Sequence, residues 1–254
     1  MFDENYAYRI SCDPKPLKGG CDDQWTWNRR ERSPEARLYG PGLRIAHFHP
    51  TWSSGTAGVR GTKVLNNGRY YWELKVSQRV FGTSMMFGIG TRKARLHADS
   101  FVNLLGEDKH SWGLSHKGLL WHGGRWKHFI KPFKENRATL IGILFDGVEG
   151  TLTYYKDGKC LGVAFKDLHE VREPLFPMIC STAAKTEMTL CCMRRDFVNL
   201  QDRCRAEIIK RINNKQDIDK LYLPMPLKHY LEEAILEKAQ PFLPVNTNCV
   251  LHSV

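Results

Sequence analysis

Between Trp25 and about Leu190 the chain never runs far without a turn signal, because short apolar stretches alternate with glycine-rich breaks. The sharpest case is residues 151–165, where Asp157-Gly158 separates two strand-like halves. A tight hairpin turn of this kind needs positive φ at both central positions, which Asp tolerates and Gly adopts freely. Residues 70–76 (YYWELKV) alternate as a half-buried strand, whereas residues 84–90 and 139–146 read as strands buried on both faces. No long amphipathic helix interrupts the series. The expected fold is therefore mainly β, a two-sheet antiparallel sandwich. Twelve Phe, nine Tyr and seven Trp supply ample core, with Trp25, Trp27, Trp72 and Trp112 expected inside and Trp52, Trp121 and Trp126 on loops.

The pattern changes near Asp196. Phe197, Leu200, Cys204, Ile208 and Ile212 follow helical spacing, with Asp196 as the expected N-cap. Leu200, Cys204 and Ile208 form a stripe at every fourth residue, following a β domain that already closes its own core. Such a spare apolar face suits insertion into a partner's groove. Asn213-Asn214 should end this helix, Pro224 and Pro226 should impose an extended link, and residues 227–238 read as a further helix. Four segments follow: a flexible lead-in at 1–22, a β domain at 23–195, a small α-helical region at 196–238 and a tail at 239–254.

Composition narrows the functional classes. The formal net charge is +11, but Lys and Arg are scattered rather than massed, which argues against a dedicated nucleic-acid binder. None of the eight cysteines stands in a Cys-x-x-Cys arrangement. With no secretory pattern at the start and no membrane-spanning run, the expectation is an intracellular protein with reduced thiols, cytoplasmic, nuclear or both. His110, His116, His122 and His128 recur every six residues, yet the intervening glycines break any shared face, so neither a metal nor a cofactor is expected. Cys180, Cys191 and Cys192 read as buried strand residues, and Arg60 and Glu73 as structural ion pairs. No paired carboxylates or nucleophile–base motif stand out, so no catalytic residue is assigned and a non-enzyme is expected.

Trp25-Thr26-Trp27-Asn28, Gly58-Val59-Arg60-Gly61-Thr62-Lys63, Tyr71-Trp72-Glu73, Gly88-Ile89-Gly90, Ser111-Trp112-Gly113-Leu114 and the 150–165 hairpin together resemble a SPRY domain. The two C-terminal patterns resemble a SOCS box. Their order resembles the SPRY domain-containing SOCS box protein family over roughly residues 23–231, and residues 82–86, 118–120 and 176–184 are most like one branch of it. The resemblance implies a substrate receptor of a cullin-RING ubiquitin ligase, supporting substrate ubiquitination and proteasomal degradation. The helical box would bind Elongin C, with Elongin B, through Leu200, Cys204 and Ile208. It would reach a cullin, Cullin-5 or another, with its RING protein, through Ile218, Leu221, Leu223, Pro224, Leu227, Tyr230 and Leu231. Asn199 and Tyr222 stand where the family usually has Ser, Thr or Pro and a Pro respectively. Substrate would be held as a short peptide by His49, Pro50, Thr51, Trp52, Thr56, Thr83, Phe101, Thr182, Ala183 and Ala184. Other members present a Tyr at Phe101 and Trp-Gly at Ala183-Ala184, so a preference for Asn-containing peptides stays open. The alternative is a SPRY interaction module with no ligase function.

Overall fold

The computed structural model describes residues 17, 20–66, 68–196, 200–212 and 215–239. The chain divides into two compact units, residues 1–198 and 199–254. The first is built from short strands in the rhythm that the turn signals dictate. In chain order, β1 (Cys21–Asp22), β2 (Trp27–Arg32), β3 (Ala36–Tyr39) and β4 (Ile45–Phe48) precede β5 (Thr56–Gly61) and β6 (Arg69–Val76). Next come β7 (Met85–Gly90), β8 (His97–Ala98), β9 (Ser111–Ser115), β10 (Leu119–His122) and β11 (Arg125–His128). The last five are β12 (Thr139–Asp146), β13 (Thr151–Lys156), β14 (Lys159–Phe165), β15 (Phe176–Ser181) and β16 (Thr186–Arg195).

These strands form two antiparallel sheets. The first runs β14-β13-β12-β6-β16-β4-β3, with β1 beside β16. The second runs β11-β10-β9-β7-β15-β5-β2, with β8 beside β5. The β13–β14 hairpin turns at Asp157 (φ 50°) and Gly158 (φ 79°), the backbone that the Asp-Gly pair predicts. Between the sheets, Trp25 meets Trp27 edge-on at 5.6 Å and Trp72 at 6.0 Å. The Trp27 indole N–H donates to the Arg44 carbonyl at 3.1 Å, so this large ring is buried without orphaning its polar atom. Phe48, Phe87, Phe145 and Tyr154 fill the remaining core, and Trp112 is also buried.

Two outer layers depart from a simple alternating sandwich. On the first sheet β6 is half-buried as expected, with Lys75 outward, but Tyr71 on its outer face is buried with Leu17 and Tyr155. On the second sheet, Met86, Met178 and Cys180 are covered by Ala94, Ala98, Leu104 and Leu105 from the β7–β9 connection. Burial pushes the Cys180 thiol up to about 12, which leaves it an inert packing group. Cys191, expected to be buried, is exposed because it alternates with the buried Met188 and Leu190, and the register shift between Leu190 and Met193 then leaves Cys192 half-buried and turns Met193 inward. Cys160 is disulfide-bonded, against the expectation of reduced thiols. It packs beside Leu17, Tyr71 and Tyr155.

Other polar residues resolve as structural. Arg60 pairs with Glu31 at 3.3 Å and donates to the Ala94 carbonyl at 2.9 Å, while the Tyr71 hydroxyl donates to Glu73 at 2.7 Å. His122 stacks on Trp112 at 4.5 Å, His128 meets the Trp126 ring edge-on, and His116 is buried beside the Met85 carbonyl. The Asp196 carboxylate takes Arg69 at 3.2 Å and its backbone N–H donates to the Arg69 carbonyl, while residues 197–199, on which its expected capping role depends, lie outside the described residues.

The second unit comprises α1 (Leu200–Arg211), α2 (Lys215–Asp219) and α3 (Met225–Ala239). The sequence pattern missed α2, and α3 starts two residues earlier than expected. Pro226 is accommodated in its first turn, where a missing N–H has no intrahelical partner to lose. Asn213-Asn214 and the expected tail from Pro241 lie outside the described residues. Ile209, Ile218 and Leu231 form the unit's core, flanked by Ile212, Leu221 and Leu223.

Candidate functional site

At one end of the sandwich the β4–β5, β6–β7, β8–β9 and β15–β16 connections enclose a cavity of about 350 Å³. Six residues expected to hold a peptide line it: Trp52, Thr83, Phe101, Thr182, Ala183 and Ala184. Ser53, Arg79, Phe81 and Gly82 complete the lining. Two large aromatics stand at its mouth, Trp52 at 82% exposure and Phe101 at 49%. Isolated exposed apolar side chains are ordinary, but two aromatics on loops at the mouth of one cavity make it the candidate binding site.

The loops are fixed by hydrogen bonds to the strands beneath. The Ser53 hydroxyl donates to the Thr182 carbonyl at 2.6 Å, which ties the Trp52 loop to the turn after β15. The Thr182 hydroxyl accepts from the Ser84 N–H at 2.9 Å and lies 3.0 Å from the Ser84 carbonyl, so it bridges both sides of the cavity floor. Gly82 (φ 95°) turns directly above it, and a Cβ there would sit 3.0 Å from that hydroxyl. Arg79 donates from Nε to the Ala184 carbonyl at 2.8 Å, and its guanidinium lies over the Phe81 ring.

The other expected peptide contacts do not line the cavity. Thr56 is buried, and its hydroxyl accepts from the Val102 N–H at 2.9 Å and lies 2.8 Å from the Ser100 carbonyl. It thereby holds the two residues that flank Phe101. His49 is also fully buried, at φ 46°, with Nε2 3.1 Å from the Ser181 carbonyl. Burial lowers its pKa and keeps the imidazole neutral, a strut under the cavity rather than a surface group. Pro50 and Thr51 lie in the loop between His49 and Trp52 without reaching the lining. Ser53 falls in the 49–56 segment expected at the site, whereas sequence reasoning did not find Arg79, Phe81 or Gly82. Arg79 sits in an irregular segment with no periodicity to mark it.

In the second unit, Cys204 and Ile208 are both exposed, while the neighbouring Ile209 turns inward. Cys204 and Ile208 thus lie on a different face of α1 from Ile209 and the unit's own core. Of the residues expected to meet a cullin, Ile218 and Leu231 are buried, and Leu221 and Leu223 pack partly against them. Tyr230 lies beneath the Arg205 guanidinium at 4.1 Å, and only Pro224 and Leu227 are exposed. Tyr222 and Met225 stand fully outward beside them. Among the described residues no helix is long and apolar enough to cross a membrane.

Comparison with known proteins matches residues 69–194 to the SPRY domain. SPRY domain-containing SOCS box protein 3 of Xenopus tropicalis is 39% identical over 213 residues, covering 82% of this chain and 57% of that protein. The Xenopus laevis counterpart is 38% identical, covering 83% and 58% respectively. The chain therefore spans less than three-fifths of the length of these relatives, whose branch is the one to which residues 82–86, 118–120 and 176–184 point. Protein gustavus of Drosophila melanogaster is 28% identical, covering 87% of this chain and 84% of its own. Among solved structures, the SPRY domain of human HERC1 superposes with a TM-score of 0.51 at 15% identity, covering 65% of this chain and 97% of that one, which shows the sandwich fold. Identity at this level over four-fifths of the chain, with the SPRY match at its centre, shows that this chain carries a SPRY domain and is similar to the SPRY domain-containing SOCS box proteins.

Proposed function

We propose that the chain is a non-catalytic substrate receptor of a SOCS-box ubiquitin ligase. The cavity between Trp52 and Phe101 captures a short peptide of the substrate, and the helical unit recruits the ligase. The observation that carries this reading is the cavity itself: preformed, mostly apolar, rimmed by two aromatics and cross-braced through Ser53, Thr56 and Thr182. A preorganised pocket spares the ordering cost that a short peptide would otherwise meet. Thr83 and Thr182 supply polar edges suited to an amide side chain, which keeps an Asn-containing degron among the candidates.

Elongin C, with Elongin B, docks on the Leu200, Cys204 and Ile208 stripe. Each fully buried Leu or Ile contributes about 1.5–3 kcal/mol to such a contact. Cys204, small and exposed, permits close helix approach. A cullin of the Cullin-5 type, with its RING protein, meets Pro224 and Leu227, while the interior Ile218 and Leu231 hold that surface in shape. The chain then contributes geometry, placing bound substrate near a ubiquitin-loaded enzyme.

Co-purification with Elongins B and C tests this directly. Wild type should yield a stoichiometric complex, and Leu200→Ala/Cys204→Ala should lose it. Trp52→Ala/Phe101→Ala should keep the complex but bind no member of an Asn-containing peptide panel. A well-folded wild-type chain that never associates with the Elongins would leave a SPRY interaction module and remove the ubiquitin claim.

A further inference from the structure

The far edge of the second sheet carries a feature that the peptide cavity does not use. The β10–β11 hairpin turns through Gly123 (φ 61°) and Gly124 (φ 72°), with His122 opposite Arg125 and Trp121 opposite Trp126. β11 ends the sheet order, and all four of its residues are exposed. In a two-residue hairpin the pair flanking the turn exchanges hydrogen bonds, and pairs alternate from there. Trp126 and His128 therefore direct their backbone N–H and C=O groups away from β10, where the sheet has no further strand among the described residues.

The charge around this edge is one-sided. Lys117, Arg125, Lys127, Lys131, Lys134 and Arg137 are all exposed, and Glu135 is the sole acidic residue between Lys109 and Phe145. Among the described residues none of the six makes an ion pair, although Lys63, Arg69, Lys93 and Arg95 elsewhere in the unit do. Bonds from the Phe129 and Ile130 N–H groups to the Gly118 carbonyl, and from Asn136 to Val80, stitch down the segment after β11 that carries Lys131, Lys134 and Arg137. Alternation puts Arg125 and Lys127 on one face of β11 and Trp126 and His128 on the other. Trp126 remains 53% exposed, with His128 edge-on at 5.4 Å.

We propose that β11 is a docking edge for an acidic, extended polypeptide segment that adds to the second sheet as a further strand. The open backbone of Trp126 and His128 would pair with the incoming chain. Its carboxylates would meet Arg125 and Lys127 on one face, then Lys131, Lys134 and Arg137 as it leaves the strand. Alternate apolar residues would cover Trp126 on the other face. Free backbone groups favour a polypeptide over a nucleic acid, which would use the charges but not the edge.

The test is fluorescence anisotropy on the full chain with a labelled peptide alternating Glu and Val. Two counterparts are N-methylated on either the Glu or the Val amides, and a labelled single-stranded oligonucleotide serves as the rival ligand. The parent peptide should bind, and one of the two methylated counterparts should bind at least about tenfold more weakly, because only one set of amides faces β11. Lys127→Glu/Lys131→Glu/Lys134→Glu should lose at least about tenfold with an unchanged melting temperature. The idea is overturned if both methylated peptides bind like the parent. It is also overturned if the oligonucleotide binds more tightly and the peptide cannot displace it, or if the parent peptide does not bind. In that last case the lysines serve to keep an open edge from self-pairing.

Discussion

Thr56 holds Phe101 at the cavity mouth without touching the cavity. Its hydroxyl bonds to both residues that flank the ring, 44 and 46 positions away in sequence. Thr56→Val preserves the shape and removes only those bonds. It should cost about 1–2 kcal/mol of stability, read by urea unfolding, and weaken capture of any peptide that uses the Trp52–Phe101 mouth. Unchanged peptide affinity would mean that Phe101 needs no such anchor. The sequence points to Thr56 as a site residue but not to what it does, because a bond between positions so far apart leaves no local trace. His49 is a similar case: its neighbourhood marks it for the site, yet burial makes it a strut. Arg79 and Phe81 are the converse, lining residues that no local pattern identifies.

The two kinds of glycine in this fold separate turn chemistry from packing. Gly158 at φ 79° sits at an open turn where an added Cβ meets nothing, so Gly158→Ala should cost about 1–2 kcal/mol, from backbone conformation alone. Gly88 lies opposite Gly113 in the β7–β9 ladder, and a Cβ there would collide with the Trp112 carbonyl oxygen. Gly88→Ala should therefore cost about 3 kcal/mol or more, enough to empty the soluble fraction. Equal melting temperatures for the two variants would refute this division. The Asp157-Gly158 turn is legible in sequence because a two-residue motif dictates its own backbone. The outer layers over β6 and β7 are not, because Leu17, Leu104 and Leu105 come from segments without periodicity. The β16 bulge that leaves Cys192 half-buried and turns Met193 inward hides for the same reason: alternation is readable only while the register holds. In the helical unit, Pro226 reads as a breaker but stands in the first turn of α3, where proline is tolerated.

At the scale of the whole molecule, the two units have very different interiors. The sandwich draws its core from both sheets over residues 25–193, whereas among the described residues of the helical unit the buried core is Ile209, Ile218 and Leu231. A helical unit of this size with a small core gains much of its stability from whatever completes that core, which is what the proposed adaptor role predicts. Its exposed Cys204 and Ile208 are the surface that such a partner would cover. Hydrogen exchange on the free chain should then find the amides of α1 and α3 exchanging far faster than those of β7, β12 and β15. Adding Elongins B and C should slow the helical amides alone. A chain shortened to residues 17–196 should keep the melting temperature of the sandwich, since every residue of its main core is retained. Helical amides as protected as those of β12 in the free protein would mean that the second unit is complete by itself. It would then have no energetic reason to seek a partner, and the case for an adaptor would rest on the SPRY cavity alone.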